Sequence, residues 1–171
     1  SNAAFPFATA QDITLGAAPV RAVRIGFVGE LGWELHVPTE FARHVYDLLK
    51  AAGTAHGIRD VGYRAVEGLR LEKGYLYWSA DISPDYSPVE AGLGFRVHLK
   101  RGGDFIGRDT LATQKTDGPA RRLCTFTCDT KLAMYGGEAI LAGGTLASLA
   151  TSAGFGHSVA KMISLGYLDA A

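Results

Sequence analysis

The stretch "GFVGELGWELHVP", residues 26–38, decides how the first part of the chain folds. Just upstream, "VRAVRIGF" (residues 20–27) alternates: Val23, Ile25 and Phe27 share one face, and Ala22, Arg24 and Gly26 the other. Downstream, Trp33, Leu35 and Val37 alternate with Gly32, Glu34 and His36. Two alternating runs joined by the glycine-bearing "VGELG" read as a β-hairpin. Glu34 then sits in the second arm, on the face opposite Trp33 and Leu35. On residues alone this carboxylate has two readings. It forms a cross-strand ion pair with Arg24, which the pattern puts on its face, or it is held free to accept hydrogen bonds from a ligand.

Working outward, Thr39 is placed to cap a helix ending at Gly53, with Glu40 in its first turn and Phe41, Val45, Leu48, Leu49 and Ala52 as its stripe. A second helix is expected over residues 60–73, capped by Asp60, with Val61, Ala65 and Leu69 inward. Gly68 inside it costs about 1 kcal/mol relative to Ala, a sign of close packing there. Arg64, Glu67 and Arg70 stand three apart, the spacing of a solvated ion ladder. Residues 75–108 are loop-rich, with Pro84 and Pro88 and a short strand expected over 95–99. "RDTLATQK" (108–115) reads as a short helix.

"TDGPARR", residues 116–122, is polar with a Gly-Pro step and reads as the domain boundary. Beyond it, "RLCTFTCD", "EAILAGGTLASLATS" and "KMISLGYL" are short β-type runs with Gly-Gly turns. The fold expected is α+β: antiparallel hairpins with two helices over residues 4–115, then a small all-β barrel-like domain over 120–171, with strands missing at its end.

Seventeen basic and seventeen acidic residues cancel in a chain of 171, which removes any global field for nucleic acid or an anionic membrane. Hydrophobic residues make up 47%, enough for a core, and 22 glycines favour turns over long helices. Cys124 and Cys128 share one strand face roughly 13 Å apart, too far for a disulfide; they read as core thiols, suited to a reducing, cytosolic-type compartment. The start has no signal-peptide pattern, and Ser1-Asn2-Ala3 resembles a tag scar. Residues 139–160 lack Asp, Glu, Lys and Arg except for Glu138 just before, but four glycines break them as a membrane span. No G-x-G-x-x-G, Walker A, H-E-x-x-H or G-x-S-x-G is present, and the five histidines lack ligand spacing, so no metal site is expected.

Several motifs together resemble one family. "FPFATAQDITLGAAPVRAVRIGFVGELGWELHVP", "GLRLEKGYLYWSADISPDYSPVEAGLGFRVHL", "DFIGRDTL" and "MYGGEAI…ATSAGFGHSVAKMISLGYL" run in order as in the aminomethyltransferase (glycine cleavage T-protein) superfamily. "GELGWE", "LEKGYLYW" and "DISP" resemble the folate-binding module of dimethylglycine and sarcosine dehydrogenases more than the stand-alone T-protein.

That resemblance implies tetrahydrofolate as cofactor, with Glu34 as the residue that recognises the pterin. An ionised carboxylate offers two acceptor oxygens to the pterin's adjacent amino and ring N–H donors. Phe27 stands where the T-protein has a hydroxyl-bearing aromatic. The family's ligand-binding arginine aligns with Val66, and Arg64, half a helical turn away, is the substitute. Glu90 is expected to hold a loop, and Lys161 to sit at the edge of the β domain. The family's catalytic aspartate lies before residue 1, so no catalytic residue is assigned within this chain, which is expected to be inactive alone. The implied partners are folate and an upstream FAD-bearing oxidoreductase domain, with neither nucleic acid nor membrane, and a homodimer in a crystal. The implied location is the cytoplasm, or the mitochondrial matrix in a eukaryote. The rival readings are the stand-alone T-protein, a non-catalytic folate-binding or scaffold domain of the superfamily, and an interaction module that binds no small molecule.

Overall fold

Alternation of side chains builds the first sheet. The computed structural model describes residues 2–101, 103–129 and 132–170. Strands β1 (Ala10–Leu15), β2 (Ala18–Val23) and β3 (Glu34–His36) form an antiparallel sheet in that order. β1 escaped the sequence reading; it pairs along its whole length with β2, from Ala10 opposite Val23 to Leu15 opposite Ala18. The turn between them needs Gly16 at φ +59°, and a Cβ there would strike His44. His44 in turn accepts the Ala17 N–H through Nε2 at 3.2 Å.

The hairpin of β2 and β3 forms, but its first arm ends at Val23, short of the expected 27. Residues 24–33 are a connection without strand structure. Ala18, Val20 and Ala22 are buried and their neighbours Pro19 and Arg21 exposed. Ala18, Val20 and Val45 form the core, flanked by Ile13, Leu15, Leu35, Val37 and Phe41. Val45 and Phe41 come from α1 (Ala42–Gly53) and the 3-10 turn before it (Thr39–Phe41). Thr39 opens that turn and makes no side-chain cap.

Helix α2 runs Tyr63–Glu72. Asp60 does not cap it, because its carboxylate accepts the Tyr46 hydroxyl (3.0 and 3.1 Å) and the Lys50 ammonium (3.3 Å). The expected stripe is also displaced: Val61 and Leu69 are exposed, and the residues that α2 buries are Arg70 and Leu71. Within α2 the chain divides into two compact units, residues 1–66 and 67–171.

The second unit begins with loops. Its expected strand at 95–99 is absent; a 3-10 turn at Gly94–Arg96 takes its place, with the Val97 N–H donating to Gly94. The Val97 carbonyl accepts the Lys115 ammonium at 2.7 Å, so a side chain takes the acceptor a strand partner would use. α3 (Arg108–Asp117) covers the expected helix. Strands β4 (Arg121–Cys128), β5 (Ala139–Ala142), β6 (Thr145–Gly156) and β7 (Lys161–Asp169) form one antiparallel sheet in the order β4-β7-β6-β5. β7 is inner and buried from Met162 to Tyr167. Gly68 does not mark the tight spot expected there: a Cβ on it would meet the Phe155 carbonyl at an ordinary 3.5 Å, whereas a Cβ on Gly154 of β6 would lie 2.9 Å from Leu71. Cys124 and Cys128 are free, but not core thiols. β4 is an edge strand, which leaves Cys124 half-buried and Cys128 exposed.

Candidate functional site

Cross-strand register places Glu34. It stands directly opposite Val23, Leu35 opposite Ala22, and His36 opposite Arg21. Residues paired across an antiparallel ladder point the same way. Leu35 therefore faces inward with Ala22, while Glu34 shares the outward face of Val23, Arg21 and Asp12. Arg24, one step beyond Val23, goes with Trp33 on the other face, its guanidinium 5.7 Å from that ring. The face shared by Glu34 and Arg24 in the sequence reading is thus corrected, and their ion pair does not form. Arg24 donates instead to the Phe5 carbonyl and to Asn2 Oδ1.

Glu34 is exposed, and among the described residues its carboxylate makes no hydrogen bond or ion pair. Phe27 lies half-buried in the connection that leads to β3. Arg64 is exposed in the first turn of α2. All three belong to the unit of residues 1–66. A free carboxylate with both oxygens available suits a ligand that presents two adjacent donors, as the edge of a reduced pterin does. The donor set fits folate in that respect. A groove of about 460 Å³ in the other unit, lined by Val89, Phe95, Lys115, Arg122 and Leu123, contains none of the three. No cluster of His, Cys, Asp and Glu suited to a metal occurs among the described residues.

Arg70 is not a solvated rung of the α2 ladder. Arg70 does reach Glu67, with Nε donating at 2.9 Å, but it is 1% exposed and its main partners lie elsewhere. Nη1 donates to Asp81 Oδ2 at 2.5 Å and to the Tyr75 carbonyl at 3.0 Å, and Nη2 to Ser152 Oγ at 2.7 Å. Asp81 is fully buried and also accepts the Tyr77 N–H (2.8 Å) and the Thr151 hydroxyl (2.6 Å), while its carbonyl accepts the Tyr167 hydroxyl (2.9 Å). Every arm of this cluster is engaged, so its chemistry is cohesion: it ties α2 and the 75–82 loop to β6 and β7. Local spacing could reveal Glu67 but not Ser152, 82 residues away.

Tyr86 stacks on Tyr167 at 3.7 Å, and burial raises the Tyr167 phenol well above its usual 10.0. Glu90 holds its loop as expected: its carboxylate accepts the Ser87 N–H, its own N–H donates to the Ser87 hydroxyl, and its carbonyl accepts the Leu123 N–H. Lys161, at the start of β7, pairs with Asp129 at 3.0 Å.

Glu138 is lowered below its ordinary 4.5, first by the Tyr135 N–H that it accepts and also by that of Gly136. A lowered carboxyl contributes stability above its unfolded pKa and loses it as pH falls. Glu138→Gln is therefore expected to lower the melting temperature by about 2 °C or less near pH 7, with the difference from wild type shrinking as pH falls below the ordinary 4.5 of the carboxyl. Thermal melts across that range check this.

A three-stranded sheet with an amphipathic helix against it and a four-stranded antiparallel C-terminal sheet define the class: an α+β unit followed by a β-rich one. Comparison identifies it further. Residues 1–101 match the GCVT N-terminal domain, and residues 121–171 the glycine cleavage T-protein C-terminal barrel domain. The mitochondrial sarcosine dehydrogenase of Mus musculus is 46% identical over 98% of this chain and 18% of its own length. The mitochondrial dimethylglycine dehydrogenase of the same species is 36% identical over 98% of this chain and 19% of its own. The crystal structure of glycine cleavage system aminomethyltransferase T from Bartonella henselae superposes with a TM-score of 0.82 at 26% identity, over 95% of this chain and 44% of that one. The chain belongs to the glycine cleavage T-protein family, and it spans under a fifth of the length of these dehydrogenase relatives.

Proposed function

We propose that this chain is part of the tetrahydrofolate-binding, one-carbon-transfer module of a larger enzyme of the sarcosine or dimethylglycine dehydrogenase type. The carrying observation is the carboxylate of Glu34, exposed and without a partner among the described residues, at the hairpin position where the resemblance puts pterin recognition. Glu34 accepts the pterin's two adjacent donors, Phe27 packs against the ring, and Arg64 supplies a local positive charge for the folate's anionic end. When bound, tetrahydrofolate supplies the amine that takes up a one-carbon unit at the 5,10-methylene level. The oxidation that generates this unit from an N-methyl amine belongs to a flavin domain elsewhere in the whole enzyme.

We read residues 4–115 as folate-binding and 120–171 as the barrel domain. The relatives' names place them in mitochondria, and no helix among the described residues is long and apolar enough to cross a membrane. The proposed setting is the mitochondrial matrix in a eukaryote, or the cytoplasm in a bacterium. Calorimetric titration of tetrahydrofolate into the whole enzyme tests the function. Saturable one-to-one binding, competed by a pterin lacking the glutamate, is expected. An absence of binding by the folded enzyme overturns the proposal and leaves a scaffold role.

A further inference from the structure

We propose that the groove between the 89–95 loop, α3 and the start of β4 binds a small aromatic anion that carries an N–H or O–H donor. The groove holds about 460 Å³, within the range of small-molecule sites. Its lining residues all belong to the unit of residues 67–171, so the proposal rests neither on Glu34 nor on the folate reading.

Three features set its chemistry. The first is an unmet acceptor. Gln114 lines the groove from α3, and its Oε1 is closed to solvent with no donor among the described residues. Buried side-chain oxygens ordinarily have a donor, because water lost without replacement costs free energy. A ligand N–H or O–H in the groove supplies it. The second is an unmatched charge. Arg122, exposed near the start of β4, has no side-chain hydrogen bond or ion pair among the described residues, and its guanidinium offers an anion two parallel donors. Lys115 adds a second cation, its ammonium also holding the Val97 carbonyl at 2.7 Å. The carboxylate in the lining, that of Glu90, is committed to the Ser87 N–H at 2.8 Å. The third is an apolar wall of Val89, Phe95, Pro119 and Leu123, in which Phe95 is 68% exposed and presents its ring as a stacking platform.

The walls stand before any ligand arrives. The Leu93 N–H donates to the Pro88 carbonyl at 2.7 Å, and the Leu123 N–H to that of Glu90 at 2.9 Å, which ties the loop to β4. The Gly118 N–H closes the end of α3 on the Gln114 carbonyl at 3.1 Å. A preformed groove spares the cost of ordering loops on binding. Inorganic phosphate would leave the apolar wall and the Gln114 oxygen unused. A purely apolar ligand would leave that oxygen and Arg122 unmatched.

The test is calorimetric titration of two probes into the whole enzyme. Toluidinonaphthalenesulfonate carries a secondary-amine N–H, a fused aromatic body and a sulfonate; naphthalenesulfonate lacks the N–H. Saturable binding of one toluidino probe per chain is expected, at least tenfold tighter than that of naphthalenesulfonate. Gln114→Leu is expected to abolish that preference and to leave naphthalenesulfonate binding unchanged. Arg122→Gln is expected to weaken both probes at least fivefold. Should Gln114→Leu fail to fold, the preference of the wild-type protein and the Arg122→Gln loss decide the matter. No saturable binding, no preference for the probe with the N–H, or a loss on Arg122→Gln with none on Gln114→Leu overturns the site. Saturating tetrahydrofolate is expected to leave probe binding unchanged; displacement by it would overturn the groove as a separate site. Failure of tetrahydrofolate itself to bind would sink the folate reading and leave this result standing.

Discussion

Replacing Asp81 with alanine is expected to destabilise the second unit by about 3–5 kcal/mol, the cost of leaving a buried charge without its partner. Arg70 cannot turn to solvent to recover: it is 1% exposed, and it keeps only the half-buried Glu67 carboxylate as an anionic partner, Ser152 and the Tyr75 carbonyl being neutral. Asp81 also takes the Tyr77 N–H and the Thr151 hydroxyl, so the substitution orphans two further donors. Urea denaturation gives the number. The pair Arg70→Met with Asp81→Leu removes both charges and should recover a large part of the loss, because the penalty lies in the unpaired ion more than in the absence of the bridge. A loss under about 1 kcal/mol for Asp81→Ala, the level of an exposed pair, would mean that water reaches this cluster.

The second large effect concerns binding. Glu34→Gln in the whole enzyme is expected to weaken tetrahydrofolate at least tenfold, about 1.4 kcal/mol. The substitution keeps size and shape but turns one acceptor into an NH₂ donor, which then faces a donor of the pterin. Its effect on folding should be slight, because the Glu34 carboxylate makes no bond within the described part of the chain. Calorimetry and a thermal melt of the same preparation separate the two quantities. Unchanged affinity would leave Glu34 a surface residue.

Much of this architecture was legible because it depends on periodicity. Alternation in residues 33–37 identified the second hairpin arm, helical spacing identified α1 up to Gly53, and the β-type runs after residue 120 became β4 to β7. What failed depends on partners distant in sequence. Register, which sequence does not display, put Arg24 with Trp33 instead of Glu34. Arg70 looked like one member of a surface ladder, yet Asp81 and Ser152 draw it inside. Asp60 has the right type and place for a cap, but Tyr46 and Lys50 claim its carboxylate. At the strand expected over 95–99 a 3-10 turn forms and the Lys115 ammonium takes the Val97 carbonyl. Glu34 stood out as the acid within the second hairpin arm, whereas the Phe5 carbonyl that Arg24 reaches, 19 residues away, is visible only in three dimensions.

The most direct measurement is a crystal structure of the whole enzyme with tetrahydrofolate bound. The account predicts both Glu34 oxygens at about 2.7–3.2 Å from the pterin's amino group and neighbouring ring N–H. A pterin seated elsewhere, with the Glu34 carboxylate in solvent or turned onto a guanidinium, would contradict it.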